Sequence, residues 1–156
     1  AWYPVFNEGY EPSKVEEMSL NYATGQIEKF NAADVLVLTM PMWNYSVPAI
    51  MKAWIDQILL PGHTFSISKE DGVQGLHNIK RIVMLVSSGG IYKEDDDRDA
   101  LTRQIRHGFE FIGINEIDVV WAEGQNPLFF DNSEENKAVA MEAATEVAEE
   151  IAEIEL

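Results

Sequence analysis

Four consecutive apolar residues, Val35-Leu36-Val37-Leu38, constrain the fold of this chain more than any other feature. The run is rich in β-branched side chains and too short to present a helical face of its own, so it reads as a strand covered on both sides, the pattern of a central parallel strand. Pro41 has no amide hydrogen to give a ladder and ends it. The pattern returns at residues 82–86 (IVMLV) and at residues 117–122, which places predicted strands at about 34–40, 81–87 and 116–122.

Helical periodicity fills the intervals. Ser13 is a candidate N-cap for a helix running toward Asn31, with Leu20, Ala23, Ile27 and Phe30 on one face. A second helix follows Ser46 as cap, with Pro48 in its first turn, and stops at Pro61-Gly62. Leu101, Ile105, Phe109 and Ile112 mark a third, closed by Gly113. The last starts at Asn132 or Ser133, with Ala138, Met141, Thr145, Ala148 and Ile151 as its expected buried stripe. Residues 1–12 read as loop, residues 64–67 as a short extended piece, and residues 69–78 as a polar loop able to fold over a ligand. The alternation implies an α/β, doubly wound parallel sheet with right-handed crossovers and helices on both faces.

The 156 residues fit a single domain, 1–156, which opens on Ala1 rather than Met and is expected to be incomplete at its N-terminus. Cysteine is absent, which excludes disulfides and thiolate chemistry. Eleven basic against 27 acidic residues give a net charge of -16, which opposes binding to nucleic acid and to anionic membranes. With no apolar run of membrane-spanning length and no secretory leader, the expectation is a soluble, cytoplasmic protein. His63, His77 and His107 lack the spacing of a metal site, and the acidic run Asp95-Asp96-Asp97 reads as a solvated loop. Ser87 and Ser88 lack the strand-to-helix elbow of a hydrolase nucleophile.

In open α/β sheets, ligands bind outside the carboxyl ends of the strands. Two such ends carry Pro41-Met42-Trp43-Asn44-Tyr45 and Ser87-Ser88-Gly89-Gly90-Ile91-Tyr92. If the strands are neighbours, a flat heteroaromatic ring fits between these loops, with apolar surface from Met42 and Trp43 and donors from Asn44, Ser87 and the backbone. Gly89-Gly90 has two readings, a tight turn needing positive φ or a place where backbone approaches a ring closely. Trp43 and Tyr45 likewise have two, packing over the sheet end or lining a site.

Met42-Trp43-Asn44-Tyr45, followed by Pro48, Lys52, Trp54, Ile55, Asp56 and Gly62-His63-Thr64-Phe65, resembles the signature segment of the FMN-dependent NADH azoreductases, part of the flavodoxin-like NAD(P)H:quinone reductase group. The serine-x-glycine-glycine loop at Ser87 is similar to the family's as well. The resemblance runs from just before the family's third strand to the C-terminus; the first strand, the serine-rich phosphate loop, the first helix and the second strand have no counterpart here. It implies a flavodoxin-like fold, FMN as cofactor and NADH or NADPH as electron donor. Quinones and azo compounds become the acceptors, reduced by ping-pong hydride transfer through the flavin. On this reading Pro41, Met42, Trp43, Asn44, Tyr45, Ser87, Ser88, Gly89 and Gly90 hold the cofactor, Phe65, Phe109 and Phe111 wall the substrate, and no side chain is a catalytic nucleophile or base. A homodimer with shared active sites is also implied, and the helix after Pro48, apolar on more than one side, offers the surface for it. The alternative is a flavodoxin-like electron carrier or non-catalytic flavin-binding protein, its acidic surface docking a basic partner.

Overall fold

A computed structural model describes residues 9–92 and 96–153; most of the predicted loop at residues 1–12, and Asp95 of the acidic run, lie outside the described residues. In chain order the elements are α1 (Lys14–Ala32), β1 (Val35–Pro41), α2 (Ala49–Ile58), β2 (Phe65–Ser68), β3 (Gly72–Gly75), β4 (Arg81–Ser87), α3 (Ala100–Glu110), β5 (Ile117–Ala122) and α4 (Ser133–Ala152). The three expected strands form one parallel sheet in the order β1-β4-β5. Val35 lies opposite Arg81 and Pro41 opposite Ser87, while Ile82 lies opposite Ile117 and Ser87 opposite Ala122.

Both faces of the sheet carry helices, as continuous apolar strands require. On one face Leu38, Met40, Ile82, Met84 and Ile117 pack with Ile27 and Phe30 of α1, Ile55 and Ile58 of α2, and Leu101, Ile105 and Phe109 of α3. On the other face, α4 lies over Leu85 and Val120 with Ala140 and Ala144 on its inner side. Beyond α4 that face is open, and Val37 on β1 is 54% exposed. Arg81 links three elements by hydrogen bonding to Asp118 on β5 and Glu150 on α4.

Ser13 caps α1 as expected: its hydroxyl accepts from the Glu16 amide and the Glu16 carboxylate accepts from the Ser13 amide, a reciprocal box that satisfies two orphan donors. Ser46 does not cap α2. Its amide and carbonyl are both spent on Trp43, and its hydroxyl donates to Gln104, so α2 starts two residues later, with Pro48 at the N-cap position and no side-chain cap. The polar stretch after residue 68 is not a lid but the second arm of a β2-β3 hairpin, closed by Ser68, Asp71 and a left-handed Gly72. The Leu76 amide donates to the Thr64 carbonyl, which extends the hairpin, and the Asn78 amide donates to Asn31 near the end of α1 and the Lys80 amide to Asp34 just before β1, at the amino-terminal end of the sheet. The stripe of α4 is also rotated from the expected one: Ala140 is buried, Ala144, Val147 and Ile151 are half-buried, and Ala138, Met141, Thr145 and Ala148 face solvent.

Candidate functional site at the carboxyl ends of the sheet

Because Pro41 and Ser87 end paired strands, the two loops leave the sheet side by side, and the Met42 amide donates to the Ser87 carbonyl at 2.7 Å. The loop after β5 joins them through backbone hydrogen bonds. The Ser88 amide donates to Ala122, Gln125 to the Ser88 carbonyl, Asn126 to that of Gly89 and Gly124 to that of Gly90. Ser88 itself is buried, and its hydroxyl donates to the Gly90 carbonyl at 2.8 Å. Its hydroxyl is spent within the loop, which it shapes from inside. Met42, 8% exposed, likewise belongs to the core.

The β1 loop closes on itself as a two-residue turn in which Trp43 and Ser46 exchange amide-carbonyl bonds of 3.1 Å. Both central residues are left-handed, Asn44 at φ 50° and Tyr45 at φ 66°. Asparagine tolerates this region; a tyrosine there is strained. The turn throws Trp43 and Tyr45 outward, 62% and 50% exposed. Tyr45 is then held from two directions: its carbonyl accepts from the Ala100 amide at the start of α3, and its ring meets Tyr92 edge-on at 6.2 Å. Tyr92 in turn packs on Trp121, lies beneath the guanidinium of Arg98 at 5.2 Å, and has its amide bound to Glu123. Partial burial, then the nearby Tyr45, raises the Tyr92 phenol above its ordinary value, so the ring stays neutral.

Together these loops enclose an open cleft of about 500 Å³ lined by Tyr45, Gly89, Gly90, Tyr92, Arg98 and Phe129, among others. Neither Gly89 nor Gly90 has positive φ. A tight-turn requirement therefore does not explain the pair. A Cβ at Gly90 meets the Tyr92 hydroxyl at 3.3 Å, so the bare backbone keeps the cleft wall free of side chains. The amides of Asn44, Gly89 and Gly90, the Asn44 side chain and the Ser87 hydroxyl make no hydrogen bond to another described residue. Of these, Gly89 and Gly90 line the cleft beside the aromatic rings, Asn44 shares the turn of Tyr45, and Ser87 lies at the strand end beside Pro41; open amides next to flat rings fit the polar edge of a flavin, which gains negative charge on reduction. Pro41 is half-buried at the strand end, on the sheet face of Thr39 and Leu85.

The three phenylalanines assigned to the substrate do not join this cleft. Phe109 is fully buried and stacks on Phe30 at 6.0 Å. Phe65 is 5% exposed and meets Phe111 edge-on at 5.4 Å, and both follow helices that run away from the cleft to the amino-terminal end of the sheet. Residues overlooked in their place are Arg98, Asn126, Phe129 and Phe130. The last three sit on the loop after β5, a third carboxyl end that the topology rule also marks.

A sequence profile of the flavodoxin-like fold family matches residues 3–150. Over 147 residues the chain is 35% identical to an FMN-dependent NADH:quinone oxidoreductase of Exiguobacterium, an overlap of 94% of this chain and 68% of that protein. The chain belongs to the flavodoxin-like FMN-dependent azoreductase and quinone reductase family. Another family member, the FMN-dependent NADH:quinone oxidoreductase of Gluconobacter oxydans, is 38% identical over 101 residues, 63% of this chain and 50% of that protein. The chain thus spans about half the length of the first curated relatives it matches. Among solved structures, an FMN-dependent NADH-azoreductase from Bacillus anthracis in complex with FMN superposes with TM-score 0.75 at 27% identity, covering 90% of this chain and 68% of that one.

Proposed function

We propose that the full-length protein is an FMN-dependent NAD(P)H oxidoreductase that reduces quinones and azo compounds by ping-pong hydride transfer, and that this chain supplies the ring side of its flavin site. The observation that carries the reading is the meeting of the open amides of Gly89 and Gly90 with the Tyr45-Tyr92 wall in the cleft, with Asn44 in the same turn as Tyr45 and Ser87 at the paired ends of β1 and β4. Family membership supports it. When bound, FMN supplies the hydride chemistry, so the protein needs no nucleophile or dedicated base. The chain's own residues bind and orient: amides and the Asn44 amide group hold the polar edge of the ring, and Trp43, Tyr45 and Phe129 offer flat surface to an aromatic acceptor.

The protein is further read as a single cytoplasmic domain, and no helix among the described residues is long and apolar enough to cross a membrane. A homodimer is proposed through the outward side of α2, where Ile50 is 80% exposed beside the half-buried Met51 and Trp54. Trp54 itself turns back onto α1, edge-on to Phe30 at 6.5 Å. The acidic balance of -16 favours a second reading, an electron carrier that docks a basic partner. Purified full-length protein separates the two. Bound FMN and NADH oxidation with a quinone or azo dye and no protein partner support the oxidoreductase; reduction only through an added reductase supports the carrier, and absence of bound FMN refutes both.

A further inference from the structure

Arg98 is the one charged side chain among the described residues that line the cleft, in a protein whose net charge is -16. Its guanidinium is fixed in two ways. Its central carbon Cζ lies over Tyr92, 5.2 Å from the ring centroid, and Asp96 accepts from Nε at 3.0 Å and from Nη2 at 2.6 Å. The Asp96 backbone is held too, since its carbonyl accepts from Arg103, which also pairs with the exposed Asp97. A guanidinium has five N–H donors in a rigid fork. Asp96 takes two of them, on the Nε side. The edge made of Nη1 and the second Nη2 hydrogen makes no hydrogen bond to a described residue, and the side chain is 59% exposed.

We infer that this outer edge of Arg98 recognises an oxyanion carried on a flat aromatic molecule bound in the cleft. A carboxylate, sulfonate or phosphate matches the spacing of the two free donors, and the two-point pairing with Asp96 beside the Tyr92 ring orders that edge in advance. The net charge makes the assignment sharper, because an anionic ligand approaching this surface is otherwise repelled. The inference rests on the oxidoreductase reading for its ligands, which are acceptors with an acid group on the ring or the pyrophosphate of the nicotinamide donor.

The test uses the full-length protein, as wild type, Arg98→Gln and Arg98→Lys. Steady-state KM is measured for dimethylaminoazobenzene, for its ring-sulfonated counterpart and for NADH. If the acceptor carries the oxyanion, the KM ratio of sulfonated to neutral dye rises about tenfold in Arg98→Gln and partly returns in Arg98→Lys. If the donor carries it, the NADH KM rises about tenfold instead and the dye ratio holds. Dye ratio and NADH KM both unchanged overturn the inference. A binding measurement keeps the result separate from turnover: a non-reducible naphthalenesulfonate should bind Arg98→Gln about tenfold more weakly than wild type, with a steeper salt dependence in wild type. Wild type that binds the sulfonate through Arg98 but does not oxidise NADH sinks the oxidoreductase reading and leaves this one standing.

Discussion

Tyr45 stands where the backbone asks for glycine. Two-residue turns with both central residues left-handed favour Asn-Gly, and here the pair is Asn44-Tyr45, at φ 50° and 66°. A left-handed L residue costs about 1–2 kcal/mol. Contacts outside the turn offset it, namely the Ala100 amide on the Tyr45 carbonyl at 3.0 Å and the edge-on Tyr92 ring. Replacing Tyr45 with Ala removes the ring contact, about 0.5–1.5 kcal/mol, and keeps the backbone strain. Replacing it with Gly removes the same ring and releases the strain, less about 0.5–1 kcal/mol of extra unfolded-state entropy. The ring cancels in the comparison, so Tyr45→Gly should be more stable than Tyr45→Ala by about 0.5–1 kcal/mol, the reverse of the usual order within an element. Urea unfolding of the full-length variants reads this as a midpoint higher by about 0.3–0.5 M at equal slope. A Tyr45→Ala midpoint equal to or above that of Tyr45→Gly refutes the claim that the turn is strained.

Gly90→Val places a branched side chain against the Tyr92 hydroxyl at the cleft wall, and flavin fluorescence titration should give FMN binding weakened at least about tenfold; unchanged affinity with an intact fold removes the ring from this loop. Asp96 is held down to about 2, mainly by the side-chain hydrogen bond from Arg98 and then by the Arg98 amide. A carboxyl lowered by folding adds stability that is complete above its unfolded value of 3.8 and disappears as pH falls toward 2. Asp96→Asn should therefore flatten the fall in urea midpoint across that window and leave its pH dependence above it as in wild type. Ile50→Glu puts a charge on the exposed side of α2, and light scattering should show the mass halved with the far-UV spectrum retained; an unchanged mass moves the interface elsewhere.

The sheet was legible because its strands are covered on both faces, which turns each into an unbroken apolar run. β3 was not, since Gly72–Gly75 has Val73 as its only large apolar residue and is held by backbone pairing to β2, a bond that leaves no trace in side-chain pattern. The face of α4 was misread for a related reason. Its apolar residues are mostly alanines spread around the helix, so several stripes fit, and only packing against Leu85 and Val120 selects the one through Ala140 and Ala144. Ser46 shows a local rule overridden by its neighbours: a good capping side chain is unusable when its backbone already closes a turn with Trp43.

Chain direction separates the expected site residues that gather at the cleft from those that lie away from it. In a parallel sheet every helix runs back from the carboxyl edge to the amino edge, so residues just before a helix lie near the site and residues just after it lie at the far end. Phe65 and Phe111 both come after helices, α2 and α3, and Phe109 is in the last turn of α3, so all three lie toward the amino-terminal end of the sheet, away from this cleft. Arg98 and Phe129 come just before α3 and α4, which is the position the same rule marks as near the cleft. Arg98 was hidden because it follows three aspartates and reads as part of a solvated charged run, whereas the fold turns Asp96 into its brace and Tyr92 into its platform. The glycine pair resolves in the opposite sense. Sequence offered a turn and a close approach and favoured the second; Gly89 and Gly90 have no positive φ, which removes the turn that would need it, and a Cβ at Gly90 would meet the Tyr92 hydroxyl at the cleft wall.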